Sequence, residues 1–285
     1  MKLCTFDAGS GPEVGLYSRS ALIPLSRIVP RAAPDMMTLI ANWPSAQAEV
    51  GEVERSARTF VPLEQACLLP PIARPGKILA IGLNYADHIK ESGLATPKHQ
   101  VWFSKHATAV NAPFDPIEVP KVSKRLDYEA ELVAVIGRRG RHIARADAAD
   151  FVFGFCCGND VSVRDWQVLT PQWMLGKSFD THAPYGPWIV TADEVSDPHC
   201  LGIRCFVNGE KRQDSNTRHL IFNVWDQIAH LSQAMTLEPG DLLFTGTPGG
   251  VGALMKPPQF LRAGDCVRVE IDRLDAIEAT LIDES

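Results

Sequence analysis

Leu126-Asp127-Tyr128-Glu129-Ala130-Glu131-Leu132-Val133-Ala134-Val135-Ile136-Gly137 is the stretch from which the rest of the chain can be read. A run of apolar, largely β-branched residues starts directly after Glu131 and stops at Gly137, the pattern of a strand closed by a turn. Residues two apart on a strand point the same way, so the Glu129 and Glu131 carboxylates stand side by side, about 7 Å apart along the chain. Like charges held this way repel unless a proton or a cation sits between them. Downstream, a second apolar run, Phe151-Val152-Phe153-Gly154-Phe155-Cys156-Cys157-Gly158, ends in Asn159-Asp160. Three carboxylates at the edges of two apolar strands suit a hard divalent cation bound through oxygen. A solvated strand start with ordinary charges is the other reading.

The bulk numbers narrow the class. A chain of 285 residues is one large domain, or one with a small appendage, and is long enough to bury a core without disulfides. Hydrophobic residues make up 45% and charged ones 22%, as in ordinary globular chains. Net charge is −6, and the one basic cluster, Arg138-Arg139-Gly140-Arg141, follows a strand as a solvated turn would. Neither nucleic acid nor a membrane surface is expected as a partner. Seven cysteines without a CxxC pair argue against a zinc knuckle and for reduced thiols. With no secretory leader at Met1–Asp7 and no apolar run of membrane-spanning length, a cytoplasmic protein is expected.

Residues 1–70 read as a small N-terminal domain of short strand-like pieces, with a helix opening at Asp35 after Pro34. Leu68 to Gly76 is a linker by composition. The main domain, 71–285, opens with a strand at Lys77–Leu83, followed by a short helix closing on Gly93. His88 and Glu91, three apart, share a face of that helix. A carboxylate that raises imidazole basicity makes a general base; an incidental surface ion pair is the alternative. Val161–Gln167 has helical character. Lys177, in an apolar and Gly-bounded context, either complements the carboxylates or is an exposed lysine. Asn208-Gly209 marks a hairpin, and Val224, Ile228, Leu231 and Met235 recur at helical spacing. Many strands and few helices point to a mixed, β-rich α+β fold rather than a doubly wound one. Phe244–Gly252 is neither a Walker loop nor a dinucleotide fingerprint. What remains is a tight loop whose N–H groups suit an anion such as a substrate carboxylate, or a purely structural turn.

Taken together, Ile81–His88, Asp127–Leu132, Gly158–Asp160, Gly176–Asp180 and Thr245–Gly252 resemble, in order, the motifs of the fumarylacetoacetate hydrolase family, over about Ile72 to Ile271. The resemblance implies a mixed β-roll core beside a small N-terminal α/β domain, usually assembled as a homodimer or higher homo-oligomer. It implies Mg²⁺ or Mn²⁺ held by Glu129, Glu131 and Asp160. His88 and Glu91 look like the family's water-activating pair, on a segment that orders as a lid. Lys177 matches a position that polarises substrate oxygens, and Gln167, Arg164, Tyr85 and Thr247 complete the implied substrate-binding set. One departure is Phe103-Ser104-Lys105-His106, where the family more usually has Lys followed by Pro; Lys105 receives no role. The implied reaction on a small-molecule 2-oxo acid is hydrolysis of the C3–C4 bond of a 2,4-diketo acid to pyruvate and a carboxylic acid, with the metal stabilising the departing enolate. An acylpyruvate or a 2,4-diketo-3-deoxy sugar acid, such as 2,4-diketo-3-deoxy-L-rhamnonate, both fit. Isomerases, decarboxylases and dehydratases use the same enolate and are the alternatives; a non-catalytic ion- or ligand-binding protein is a third reading.

Overall fold

A computed structural model of the chain describes residues 1–285. The strand at Ala130–Ile136 lies at the centre, every residue of it buried. It pairs antiparallel with Val152–Asn159, which is also buried throughout. A strand covered on both faces reads as a continuous apolar run, as this sequence does. Its alternation still sorts the two faces. Leu132, Ala134 and Ile136 enter one core, with Ile203, Cys205, Val267, Val269 and Ile277. Val133 and Val135 enter a second, with Leu39, Ile40 and Val50. Cys156 and Cys157, adjacent on their strand, divide between the two cores in the same way.

These two cores define three layers. The middle one is a twelve-stranded sheet in which ten strands run in the order Val61–Pro62, Ala21–Pro24, Pro12–Ser18, Lys2–Asp7, Ala183–Thr191, Val152–Asn159, Ala130–Ile136, Leu242–Phe244, Ile78–Gly82, Val101–Lys105, while Cys67–Leu69 pairs with Lys2–Asp7 and Val110–Asn111 with Ala183–Thr191 off this path. One face carries a five-stranded sheet running Glu210–Asn216, Gly202–Val207, Cys266–Ile271, Asp275–Asp283, Ile117–Val119. The other face carries the N-terminal helices Met36–Ala41 and Trp43–Ser56. The architecture is the mixed, β-rich α+β fold expected.

Several local signals are realised. Asp35 caps its helix by accepting the Thr38 N–H at 2.8 Å. Asn208 and Gly209 both take positive φ at the hairpin. Asn223 and Asp226 form a reciprocal capping box on Val224–Ala234. Other segments differ from expectation. Ser162–Val163 is a strand pairing with Leu126–Asp127, and the helix is only the turn Arg164–Gln167. The longest helix, Trp43–Ser56, has no clear sequence signal, because its buried face consists of Ala46, Val50, Gly51 and Val53, mostly small residues. The linker-like stretch is tied down: Cys67–Leu69 pairs with Lys2–Asp7, and the Tyr185 hydroxyl donates to the Ile72 carbonyl at 2.6 Å. Lys2–Asp7 itself pairs with Ala183–Thr191, so the N-terminal strands continue the central sheet.

Candidate active site

The central strand pair builds the site by register. Ala130 stands opposite Asn159 and Glu131 opposite Gly158. Glu129 and Asp160 therefore leave the sheet together, locked by Asp160 N–H to the Glu129 carbonyl and Glu129 N–H to Asn159 Oδ1, each 2.9 Å. A Cβ on Gly158 would stand 2.5 Å from Val133 Cγ2, so glycine permits this approach. One carboxylate oxygen each from Glu129, Glu131 and Asp160 lies within 4.8 Å of the other two, and all three residues are buried.

Three cations face them. Lys177 Nζ donates to Glu129 Oε2 and Asp160 Oδ2, both at 2.7 Å. It is delivered by the turn Met174–Lys177, which packs on Arg164–Gln167 so closely that a Cβ on Gly176 would meet the Gln167 backbone at 2.3 Å. Lys105 Nζ, at the end of its strand, donates to Asp160 Oδ1 at 2.6 Å. Arg164 Nη1 lies 2.6 Å from Glu129 Oε1 and donates to Gln167 Oε1 at 3.0 Å, while its Nε donates to Asp127 Oδ2 at 2.8 Å.

Four carboxylates (Glu129, Glu131, Asp160 and Asp127) thus meet three cations, leaving one negative charge over. The excess shows at Glu131, where burial, Asp160 and Glu129 together push the carboxyl well above the usual range. At Glu129 burial acts in the same direction, but Lys177 and Arg164 outweigh it and bring the carboxyl down to about 2. Burial also opposes the charge on Lys177, yet Asp160 and Glu129 raise its pKa; for Lys105 burial wins and lowers it. Beside Glu131, the fully buried Tyr85 hydroxyl has no hydrogen-bond partner. Clustered hard oxygen donors, an uncompensated negative charge and an orphaned hydroxyl together fit a divalent cation.

The helix Ala86–Ser92 ends on Gly93 in the left-handed conformation and carries the His–Glu pair. His88 Nδ1 lies 3.7 Å from Glu91 Oε2 and makes no hydrogen bond. Glu91 is held by Gly250 N–H at 2.9 Å, and Asp87 by the Ser215 hydroxyl at 2.6 Å. The glycine-rich loop therefore does not offer a free cluster of amides to a substrate carboxylate. It spends them on the protein's own carboxylates: Gly246 on Glu131, Gly249 on Asp87, Gly250 on Glu91, Gly252 and Ala253 on Asp127. Thr247 is buried, and its hydroxyl accepts from Gln213 Nε2 at 2.8 Å.

His88, Arg164 and Gln167 line one cavity of about 480 Å³. A larger cavity, about 740 Å³, shares only Pro258 and Phe260 with it and is lined by none of His88, Arg164 and Gln167; the chemistry belongs to the smaller one. Sequence reasoning missed Lys105 and Asp127. The two-residue spacing from Glu131 and Glu129 back to Asp127 was available as a signal, although Leu126–Asp127 is a short strand separate from Ala130–Ile136. Lys105 closes the apolar run Val101–Lys105 at a position where only a paired lysine is buried.

Residues 77–282 match the family model described as fumarylacetoacetate hydrolase C-terminal. The chain is 42% identical to the mitochondrial oxaloacetate tautomerase of Rattus norvegicus over 282 residues, covering 97% of this chain and 90% of that protein. Among solved structures, maleylpyruvate hydrolase from Sphingobium sp. SYK-6, in complex with manganese(II) and pyruvate, is 32% identical with a TM-score of 0.85. Fumarylacetoacetate hydrolase from Exiguobacterium antarcticum is 33% identical with a TM-score of 0.83; both structural matches cover 100% of each chain.

Proposed function

The chain belongs to the fumarylacetoacetate hydrolase family, and from that premise we propose that it is a divalent-metal-dependent enzyme interconverting the keto and enol forms of a 2-oxo acid. The observation that carries this reading is the His88–Glu91 pair, whose His88 stands on the wall of the cavity that also receives Arg164 and Gln167. Glu129, Glu131 and Asp160 would hold a Mg²⁺ or Mn²⁺ ion, which would supply Lewis acidity for enolate chemistry. His88 takes the proton from C3 and returns it to the carbonyl oxygen, or the reverse. Glu91, fixed by the Gly250 amide, faces Nδ1 and so leaves Nε2 for the transfer. Arg164 keeps a buried Nη2 without a partner for an anionic substrate, Gln167 turns its amide toward the same end, and Lys177 adds positive potential. Tyr85 supports the metal side of the site, and Thr247 acts from behind the loop.

The similarity to an oxaloacetate tautomerase over nearly the whole chain supports the tautomerase reading. The similarity to maleylpyruvate hydrolase favours a second one: His88 activates water to attack C4 of a 2,4-diketo acid, the C3–C4 bond breaks, and pyruvate and a carboxylic acid leave. Seven free thiols support a reducing compartment, the cytoplasm among them, and the protein works as a homodimer or higher homo-oligomer.

The test follows enol absorbance of freshly dissolved 2-oxo acids alongside pyruvate release from 2,4-diketo acids, with Mg²⁺, Mn²⁺ or chelator. Metal-dependent loss of the enol signal without pyruvate, reduced about 10²–10⁴-fold in His88→Ala, is the expected result. Pyruvate release dependent on His88 moves the assignment to the hydrolase. Absence of both reactions sinks the enolate reading.

A further inference from the structure

The cavity entered by His88, Arg164 and Gln167 keeps its buried charge at one end, and its other formal charge is the exposed Arg125. The end next to Glu129 holds Arg164, bonded to that carboxylate. Apart from Ser92 and the exposed Arg125, the rest of the wall is carbon, chiefly Leu83, Trp173, Val251, Leu254, Pro258 and Phe260. The mouth is apolar too: Leu94 and Val168, both on the wall, are 55% and 73% exposed. This wall is a built feature. The Trp173 ring takes the space a side chain on Gly82 would need, with Cζ3 only 2.2 Å from where a Cβ would stand, and its centroid lies 5.7 Å from that of Phe103.

A pocket with a charged inner end and an apolar remainder selects a ligand built the same way. A polyhydroxylated tail would lose its water to carbon walls that return no hydrogen bond, which carries a desolvation cost. A four-carbon diacid would set its second carboxylate against the same carbon unless it reached the exposed Arg125. Resting on the 2-oxo acid reading above, we propose that the substrate is a 2-oxo acid carrying an alkyl or aryl tail, with the head at Arg164 and the tail along Leu254, Phe260 and Trp173. Exposed Arg125 is the wall residue that would instead prefer a tail ending in a carboxylate.

The experiment is a binding ladder on the Mn²⁺-loaded protein, read by calorimetry: pyruvate, then linear 2-oxo acids lengthened one methylene at a time, phenylpyruvate, and 2-oxoglutarate as the carboxylate-ended comparison. About 0.8 kcal/mol per buried methylene corresponds to Kd falling about fourfold per step until the cavity is full. Leu254→Gln flattens that slope. Binding of pyruvate with a flat ladder overturns the tail proposal and leaves the 2-oxo acid reading standing. So does 2-oxoglutarate binding tighter than its monoacid of equal length, with the advantage lost in Arg125→Gln. Failure of every 2-oxo acid to bind removes both readings.

Discussion

Lys105→Met tests whether the buried charges work as one balanced set. Lys105 Nζ and Asp160 Oδ1 are 2.6 Å apart with both side chains fully buried. The substitution keeps the aliphatic volume and leaves four carboxylates facing two cations. Breaking a buried ion pair from one side costs about 3–5 kcal/mol. The lower end applies, because Lys177 still holds Asp160 Oδ2 at 2.7 Å and burial already works against the Lys105 charge. A loss near 3 kcal/mol lowers the melting temperature by about 5 °C for a chain of this size. The effect on metal has the opposite sign: a more negative site binds Mn²⁺ about tenfold tighter or more. Urea unfolding of chelator-treated and Mn²⁺-saturated protein reads both effects. The variant is expected to be clearly weaker without metal and to recover a larger increment on adding Mn²⁺. A metal-free loss below about 1 kcal/mol, or weaker Mn²⁺ binding, would refute the charge-balance argument.

Three further perturbations follow from the same geometry. Glu131→Gln preserves an acceptor for Gly246 N–H but removes the excess charge. The wild-type carboxyl has a raised folded pKa, so metal-free stability falls as pH rises above the ordinary carboxylate range. The variant should lack that decline while losing about two orders of magnitude in Mn²⁺ affinity, measured by calorimetry. His182 is buried beside Phe179, with burial pushing its pKa from 6.5 down to about 3. The unfolded chain therefore binds the extra proton first, and stability present above pH 6.5 is lost toward pH 3 at up to about 1.4 kcal/mol per unit. His182→Phe should flatten that slope in urea midpoints taken from pH 7 to 4, and an unchanged slope counts against it. Gly82→Ala drives a Cβ into Trp173, and should cost about 1–3 kcal/mol with a visible change in tryptophan fluorescence.

How much was legible depended on how local the cause was. The Glu129–Glu131 pair and Asp160 could be singled out because two-residue spacing and the ends of two apolar runs mark them, and the register of the two strands brings them together. The caps at Asp35 and Asn223 and the Asn208-Gly209 turn are equally local. Trp43–Ser56 was not legible, since a helix that buries alanine, glycine and valine leaves a faint stripe. Lys105 escaped because its partner lies 55 residues away, just past the end of another strand, and a lone lysine at a strand end reads as exposed. The fate of the glycine-rich loop stayed open between an anion site and a structural turn for a related reason: amides suited to an anion say nothing about whose carboxylate arrives.

That loop has a consequence for how the site tolerates change. Between Gly246 and Ala253, successive amides grip Glu131, Asp87, Glu91 and Asp127. These carboxylates come from two segments far apart in the chain, and the peptide acts on them as a ruler, whose divisions are the about 3.8 Å steps between neighbouring Cα atoms. Inserting or deleting a single residue there would shift every later division at once. The residues that grip the metal side and those that grip the base would then fall out of step, although no acidic side chain had been altered.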